Sequence, residues 1–290
     1  MKVILSSNPY RDRGMKAAQQ AQKILEKTGV ECCFCLPFEI NQNSRLELPA
    51  DISFQPLQKN LADADMLICF GGDGTILHAA KDAACHNLPI LGVNMGSVGF
   101  MAELEEGELH HLEQITQNRY TLDKRMMLQV RLLRGKQVIS DELALNDAVI
   151  SKGSIARVVE LDVAADGVQT CQLSCDGVVV ATPTGSTAYS MSAGGPIIEP
   201  SSETLVVTPV CAHQLSARSI VMSSERTITV QMPRRSKKSV YLAVDGGKAT
   251  RIMPTDRVEI RKAKNCTQLV RLTGKNFYEL LNKKLGGRQQ

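Results

Sequence analysis

An unbroken apolar run, Met66-Leu67-Ile68-Cys69-Phe70, stops at Gly71-Gly72-Asp73-Gly74 and gives way to a helix-forming stretch over 75–85. A strand with no polar face has to be covered on both sides, as an inner strand of a parallel sheet is. The neighbouring segments keep the same rhythm. Residues 2–6 read as a strand, 13–27 as a helix closing at Gly29, 31–36 and 89–93 as further strands, and 105–118 as another helix. Strand and helix in alternation predict an α/β domain built on a parallel sheet. Residues 41–58 are polar and carry prolines, and a mobile loop is expected there.

Beyond Tyr120 the texture changes to short alternating runs at 127–133, 138–139, 148–151, 158–163, 178–181, 204–208, 227–231, 239–244, 257–261 and 268–272. Turn signals such as Arg134-Gly135-Lys136 and Asp166-Gly167 separate them. This predicts an all-β domain of stacked sheets. A final amphipathic helix over 277–285, stopped by Gly286-Gly287, is expected to pack back on the first domain. The expected division is therefore 1–120 with 275–290 for the α/β part, and 121–274 for the β part.

Composition narrows the classes. With 290 residues, 43% hydrophobic and 22% charged, the chain has the make-up of a globular protein. No window approaches the roughly 18 apolar residues of a spanning helix, and the opening Met1-Lys2-Val3-Ile4-Leu5 is too short for a signal peptide. A net charge of +4 suits an anionic substrate and argues little for nucleic acid. Neither a nucleic-acid nor a membrane partner is expected. The dense run Arg234-Arg235-Ser236-Lys237-Lys238 reads as a solvated hairpin turn, with an anion or partner contact as the alternative. The nine cysteines show no zinc spacing. They read as small buried apolar residues in a reducing, cytoplasmic setting, and no residue is assigned to a metal.

Three segments can carry chemistry. Glycines around Asp73, past a buried strand and opening a helix, let backbone amides approach a phosphate, and the carboxylate can accept a hydroxyl proton. A tight turn with a capping aspartate is the other reading. The stretch Asp176-Gly177, an apolar strand, then Thr184-Gly185-Ser186-Thr187-Ala188-Tyr189-Ser190-Met191-Ser192-Ala193-Gly194-Gly195-Pro196 offers hydroxyls, bare backbone and one ring. A flexible linker is the alternative. Asn146-Asp147 can grip a ribose diol, or can be an ordinary turn dipeptide.

Taken together, these segments resemble the NAD kinase family. Gly71 to Thr75 resembles its GGDGT signature, Asn146-Asp147 its second motif, and Thr184 to Pro196 its glycine-rich third motif, which is the most specific. Asp176-Gly177 and Ser216-Ala217-Arg218 sit where the family has similar pieces. The resemblance implies a Rossmann-like, phosphofructokinase-like α/β domain plus an all-β domain supplying most of the NAD pocket. It implies phosphorylation of the 2′-hydroxyl of the adenosine ribose of NAD, with ATP as donor and Mg²⁺ accompanying the nucleotide, to give NADP. Asp73 would be the general base. Gly74 and its neighbours, His78 included, would approach the phosphates and the dinucleotide. Asn146 and Asp147 would hold the second NAD nucleoside or its ribose, Asp176 the nicotinamide end, and Thr187, Ala188, Tyr189, Ser190 and Ser192 would line the pocket, with Arg157 beside it. Homo-oligomers are usual in the family, and neighbouring subunits often complete the site.

Two positions depart from the family pattern. The acid of the second motif is most often Glu and here is Asp147. Where many members carry Asp-Gly-Gln or Asp-Ser-Gln, this chain has Asp245-Gly246-Gly247. Two other readings share parts of the sequence: a lipid kinase with the same glycine-aspartate turn, and a dinucleotide sensor that transfers nothing. Donor range, from ATP to polyphosphate, and NADH acceptance are left open by the sequence, with Ser174 placed where such preference could be tuned.

Overall fold

The computed structural model describes residues 1–38, 48–96, 99–154 and 157–286. The chain divides into two compact units, Met1–Lys124 with Thr267–Gln290, and Arg125–Cys266.

The first unit begins β1 (Lys2–Ser7), α1 (Lys16–Glu26), β2 (Glu31–Cys35), β3 (Phe54–Gln55) and α2 (Leu57–Asn60). It continues β4 (Met66–Gly71), α3 (Asp73–Cys85), β5 (Ile90–Asn94), β6 (Leu104–Glu105) and α4 (Glu113–Thr116). Its sheet runs β5-β4-β1-β2-β3, all parallel. Val3, Ile4, Leu5, Leu67, Ile68, Phe70 and Ile90 have no exposed surface, which is why their strands carry no polar face. Alternate residues feed one core: Val3, Leu5, Ile68, Phe70 and Leu91 pack with Ala18, Ala21 and Leu25 of α1. Gly92 lets the other layer close in. A Cβ there would meet Ile76 Cδ1 of α3 at 2.5 Å and Ala102 Cα at 2.9 Å.

The second unit holds two sheets. In chain order its strands are β7 (Thr121–Arg134, which enters it), β8 (Gln137–Ala144), β9 (Asp147–Lys152), β10 (Val159–Ala165), β11 (Val168–Cys175) and β12 (Gly177–Ala181). There follow α5 (Tyr189–Ser192), β13 (Thr204–Val210), β14 (Ile220–Ser223), β15 (Ile228–Gln231), β16 (Val240–Val244), β17 (Thr250–Ile252) and β18 (Asp256–Arg271, which leaves it). One sheet has the order β14-β13-β12-β9-β16-β17, and every pairing in it is antiparallel. The other joins β11, β10, β15 and β18, with β7 on β18 and β8 on β7. Inward residues of both sheets meet in one core, among them Leu128, Val130, Ile150, Val163, Val178, Val180, Leu242 and Val258. Val179 and Ala181 lie on the opposite face of β12, packed with Val206. The strand is covered on both sides, so its sequence is uniformly apolar.

The C-terminal helix, α6 (Phe277–Leu285), belongs to the first unit. Asn276 caps it, its side chain accepting from the Glu279 amide at 2.9 Å. Among the described residues no helix is long and apolar enough to cross a membrane.

Several local expectations need correction. The segment between β15 and β16 that carries Arg234 to Lys238 is no hairpin, because its flanking strands lie in different sheets. Residues 106–116 form a 3-10 stretch followed by a single α turn, not one α-helix. Of the expected loop over 41–58, residues 41–47 lie outside the described part, while 54–55 pair with β2 and 57–60 are helical.

Candidate active site

In the first unit β2 and β3 extend to one side of β1, and β4 and β5 to the other. Chain direction across the sheet therefore reverses between β1 and β4, and ligands of open α/β sheets bind at the carboxyl ends of such strands. There β1 runs into Asn8, whose amide bonds the Phe70 carbonyl at 2.9 Å, and β4 runs into Gly71-Gly72-Asp73. A Cβ on Gly71 would overlap the Thr75 side chain, so only glycine lets α3 start this close to the strand.

Asp73 occupies the first turn of α3, where the helix carries partial positive charge. Both of its oxygens are held. Oδ2 accepts from the Phe100 amide at 2.8 Å and Oδ1 from the Met101 amide at 3.0 Å. Gly99, just before them, has no room for a Cβ because the Asp73 carboxylate fills the place. Gly74 and His78, four apart on α3, are both exposed and share a face. The His78 ring lies 6.2 Å from Phe38, which stacks on Tyr10 at 6.2 Å and 17°. One residue of this end was not anticipated from the sequence. The Arg11 guanidinium stands 3.5 Å from where a side chain on Gly96 would begin, past the carboxyl end of β5. The signal was available, since Arg11 directly follows β1 and the Asn8-Pro9 turn.

The remaining sequence-predicted residues lie in the second unit. Asn146 and Asp147 sit where β9 begins, and there the second and third motifs interlock. Thr182 Oγ accepts from the Gly185 amide at 3.0 Å and donates to the Leu145 carbonyl at 2.6 Å. The Thr182 amide bonds the Asn146 carbonyl at 2.9 Å. A Cβ on Gly185 would run into that same carbonyl, which fixes glycine in the third motif. Asp245 completes the junction. Its carboxylate accepts from the amides of Leu145 at 2.7 Å, Asn146 at 2.9 Å and Asp147 at 3.0 Å. Asp245 and Gly246 both adopt positive φ, 48° and 68°, a turn in which glycine suits the second place.

Thr187 and Ala188 are half-buried, and Tyr189 and Ser192 are exposed, so these four border open surface. Ser190 does not. It has no exposed surface, and its hydroxyl is bonded to Thr208 Oγ at 2.9 Å. Asp176 is also apart from the Asn146-Asp147 pair. It adjoins the opposite end of the β9–β12 ladder, paired with Lys152 at 2.6 Å. Arg157 is exposed near the β10 strand.

Asp147 is 5% exposed. Burial, with the Asp245 charge adding to it, pushes its pKa up from 3.8 to about 7. The fold thus favours the protonated acid. That contribution is complete below about pH 4 and is lost as pH rises through about 7. Asp147→Asn, permanently neutral, is expected to abolish the loss. Its stability relative to the native chain should grow from pH 5 to pH 8.5, by at most about 3 kcal/mol. Urea melts at the two pH values measure this, and equal differences at both would show an ordinary acid.

A parallel sheet with a glycine-cradled carboxylate at its reversal point, followed by a hydroxyl-rich β unit, defines a protein of the α/β class built to take a phosphate-bearing ligand. Comparison with known proteins narrows the class. Residues 3–120 match the ATP-NAD kinase N-terminal domain and 145–272 the ATP-NAD kinase C-terminal domain. The chain is 38% identical over 290 residues to the NAD kinase of Ruminiclostridium cellulolyticum, covering 100% of this chain and 99% of that one. It is 43% identical over 226 residues to the NAD kinase of Symbiobacterium thermophilum, covering 78% and 80% of the two chains. Yeast NADH kinase complexed with NADH superposes with a TM-score of 0.84 at 26% identity, over 100% of this chain and 89% of that one. An NAD kinase from Archaeoglobus fulgidus in complex with ATP shares the fold, with a TM-score of 0.75 at 23% identity over 98% of each chain. The chain belongs to the NAD kinase family.

Proposed function

We propose that this protein transfers the γ-phosphoryl group of ATP to the 2′-hydroxyl of the adenosine ribose of NAD, giving NADP and ADP. The observation that carries the reading is Asp73, a carboxylate fixed by two amides at the sheet's reversal point. An ionised carboxylate has about four acceptor positions. With one N–H on each oxygen, a position remains to take a hydroxyl proton. The 2′-oxygen forms a bond to the γ-phosphorus, the bond to the ADP oxygen breaks, and the proton passes to Asp73. The glycine-turn amides and the helix start favour phosphate, and Arg11, beside Gly96 past the carboxyl end of β5, is a cation that would offset donor charge.

In the second unit the Asn146-Asp147 junction would hold a ribose, with Thr187, Ala188, Tyr189 and Ser192 along the dinucleotide. Asp176, at the far end of its ladder, would serve the nicotinamide end of an elongated ligand or the site of a second copy in a homo-oligomer. Mg²⁺ fits only as a companion of the nucleotide. Among the described residues no group of three or more His, Cys, Asp or Glu side chains forms a metal cage. Magnesium that keeps waters and phosphate oxygens needs few protein ligands, and the proton and positioning steps above rest on the chain's own residues.

The test is purified protein with Mg-ATP and NAD, product being read by an NADP-specific dehydrogenase. No NADP would leave a dinucleotide binder or a kinase of another substrate. Parallel assays with polyphosphate and NADH define the donor and acceptor range. Tyr189→Ala is expected to raise the KM for NAD by about tenfold, the scale of a lost ring contact of ~1.4 kcal/mol, and to leave that for ATP within twofold. Equal rises for both substrates would remove Tyr189 from the dinucleotide site.

A further inference from the structure

The loop that holds Asp73 is itself held by the C-terminal segment. Phe100 lends its amide to Asp73, and its ring is covered from α6. Phe277 lies 6.1 Å away, centroid to centroid, and Lys284 Nζ stands 4.1 Å above the ring. Met101, which lends the second amide, gives its carbonyl to Arg271 Nη1 at 3.2 Å. Glu103, 2% exposed, accepts from the Leu272 amide at 2.9 Å and the Thr273 amide at 2.6 Å, and pairs with Arg271 at 3.3 Å. Charge-assisted bonds to a buried carboxylate are strong, and they fix where the chain enters α6. The helix itself is attached lightly. None of its residues is buried, and a cavity of about 260 Å³ lies against it, lined by Gly99, Ala102, Lys275, Glu279 and Lys283 among others.

We propose that α6 is a clamp on the catalytic loop: Phe277 and Lys284, by covering the Phe100 ring, set the amides of Phe100 and Met101 on the Asp73 carboxylate. They are positioning residues and touch no substrate. A general base works only within hydrogen-bond reach of its proton, and a small displacement of a positioned group costs rate more than binding. The inference rests on the proposed role of Asp73 for its kinetic consequence, but the loop's order is a property that is measured without turnover.

The test uses the full-length chain with Lys284→Met, Lys284→Arg and Phe277→Ala. A cation above a ring is kept by arginine and lost with methionine. Lys284→Met is expected to lower kcat by about 3- to 10-fold with the KM for NAD and for ATP within twofold. Lys284→Arg should restore it, and Phe277→Ala should match or exceed the methionine variant. Hydrogen exchange of the Phe100 and Met101 amides should quicken in the two impaired variants and not in Lys284→Arg. Unchanged kcat and unchanged exchange in both would overturn the clamp. So would a loss of activity that only follows a lower Tm, with exchange raised throughout the unit. If the native chain made no NADP, or Asp73→Asn kept full activity, the functional reading would fall, and the exchange data alone would still decide whether the helix orders the loop.

Discussion

Replacing Asp73 by Asn is expected to cut turnover by about 10²- to 10⁴-fold, the usual contribution of a general base. The amide is nearly isosteric but accepts no proton at neutral pH. One of its two positions also becomes a donor and would face the N–H of Phe100 or Met101, which now meet an acceptor on each oxygen. Some loosening of that loop should accompany the chemical loss. The sheet and α3 do not depend on the charge, so Tm and NAD affinity should stay near native values. Steady-state kinetics with isothermal titration separates the two. Native-like turnover in Asp73→Asn would exclude this carboxylate as the base.

The second large effect is expected at Asp245. Its carboxylate accepts from the three successive amides of Leu145, Asn146 and Asp147. Leu145 and Asp147 are buried, so removing the acceptor leaves donors where water enters poorly. One orphaned buried group costs ~1–3 kcal/mol. Asp245→Ala should therefore lose about 3 kcal/mol or more, roughly 6–12 °C in Tm at ~2–4 °C per kcal/mol. The KM for NAD should rise more than tenfold, because the amides that shape the Asn146-Asp147 junction would be free to turn. Asp245→Asn keeps one acceptor and should fall between. A thermal melt of Asp245→Ala within 2 °C of native would show the three bonds to be replaceable.

Much of the α/β half was legible because its strands are buried on both faces. Runs such as Met66 to Phe70 have no other stable use, and the glycines after them mark the helix start. In the β half the runs that face the core, Val178 to Ala181 above all, were equally plain. Strands with exposed residues were not. The β11 strand, Val168–Cys175, begins with three exposed positions, and β14 and β17 lie at sheet edges. Their alternation is diluted by polar residues that water tolerates. The site divides in the same way. The residues of the candidate chemistry were visible as motifs, but the groups that hold them were not. Asp245 was marked by its place in the Asp-Gly-Gly stretch, but the amides it accepts from lie 98 to 100 positions earlier, and no local pattern announces those partners. Ser190 shows the same limit of local pattern. Its hydroxyl lies among others that border open surface, and only packing shows that it bonds Thr208.

The first unit is made from both ends of the chain, with residues 125–266 set between them. On a ribosome the β-rich half has all its strands before the α/β half receives Leu269, which pairs beside Ile90. The middle can therefore mature first, while the Asp73 half waits for partners synthesised last. Capacity for phosphoryl transfer would then switch on late, after the β-rich half has already taken shape.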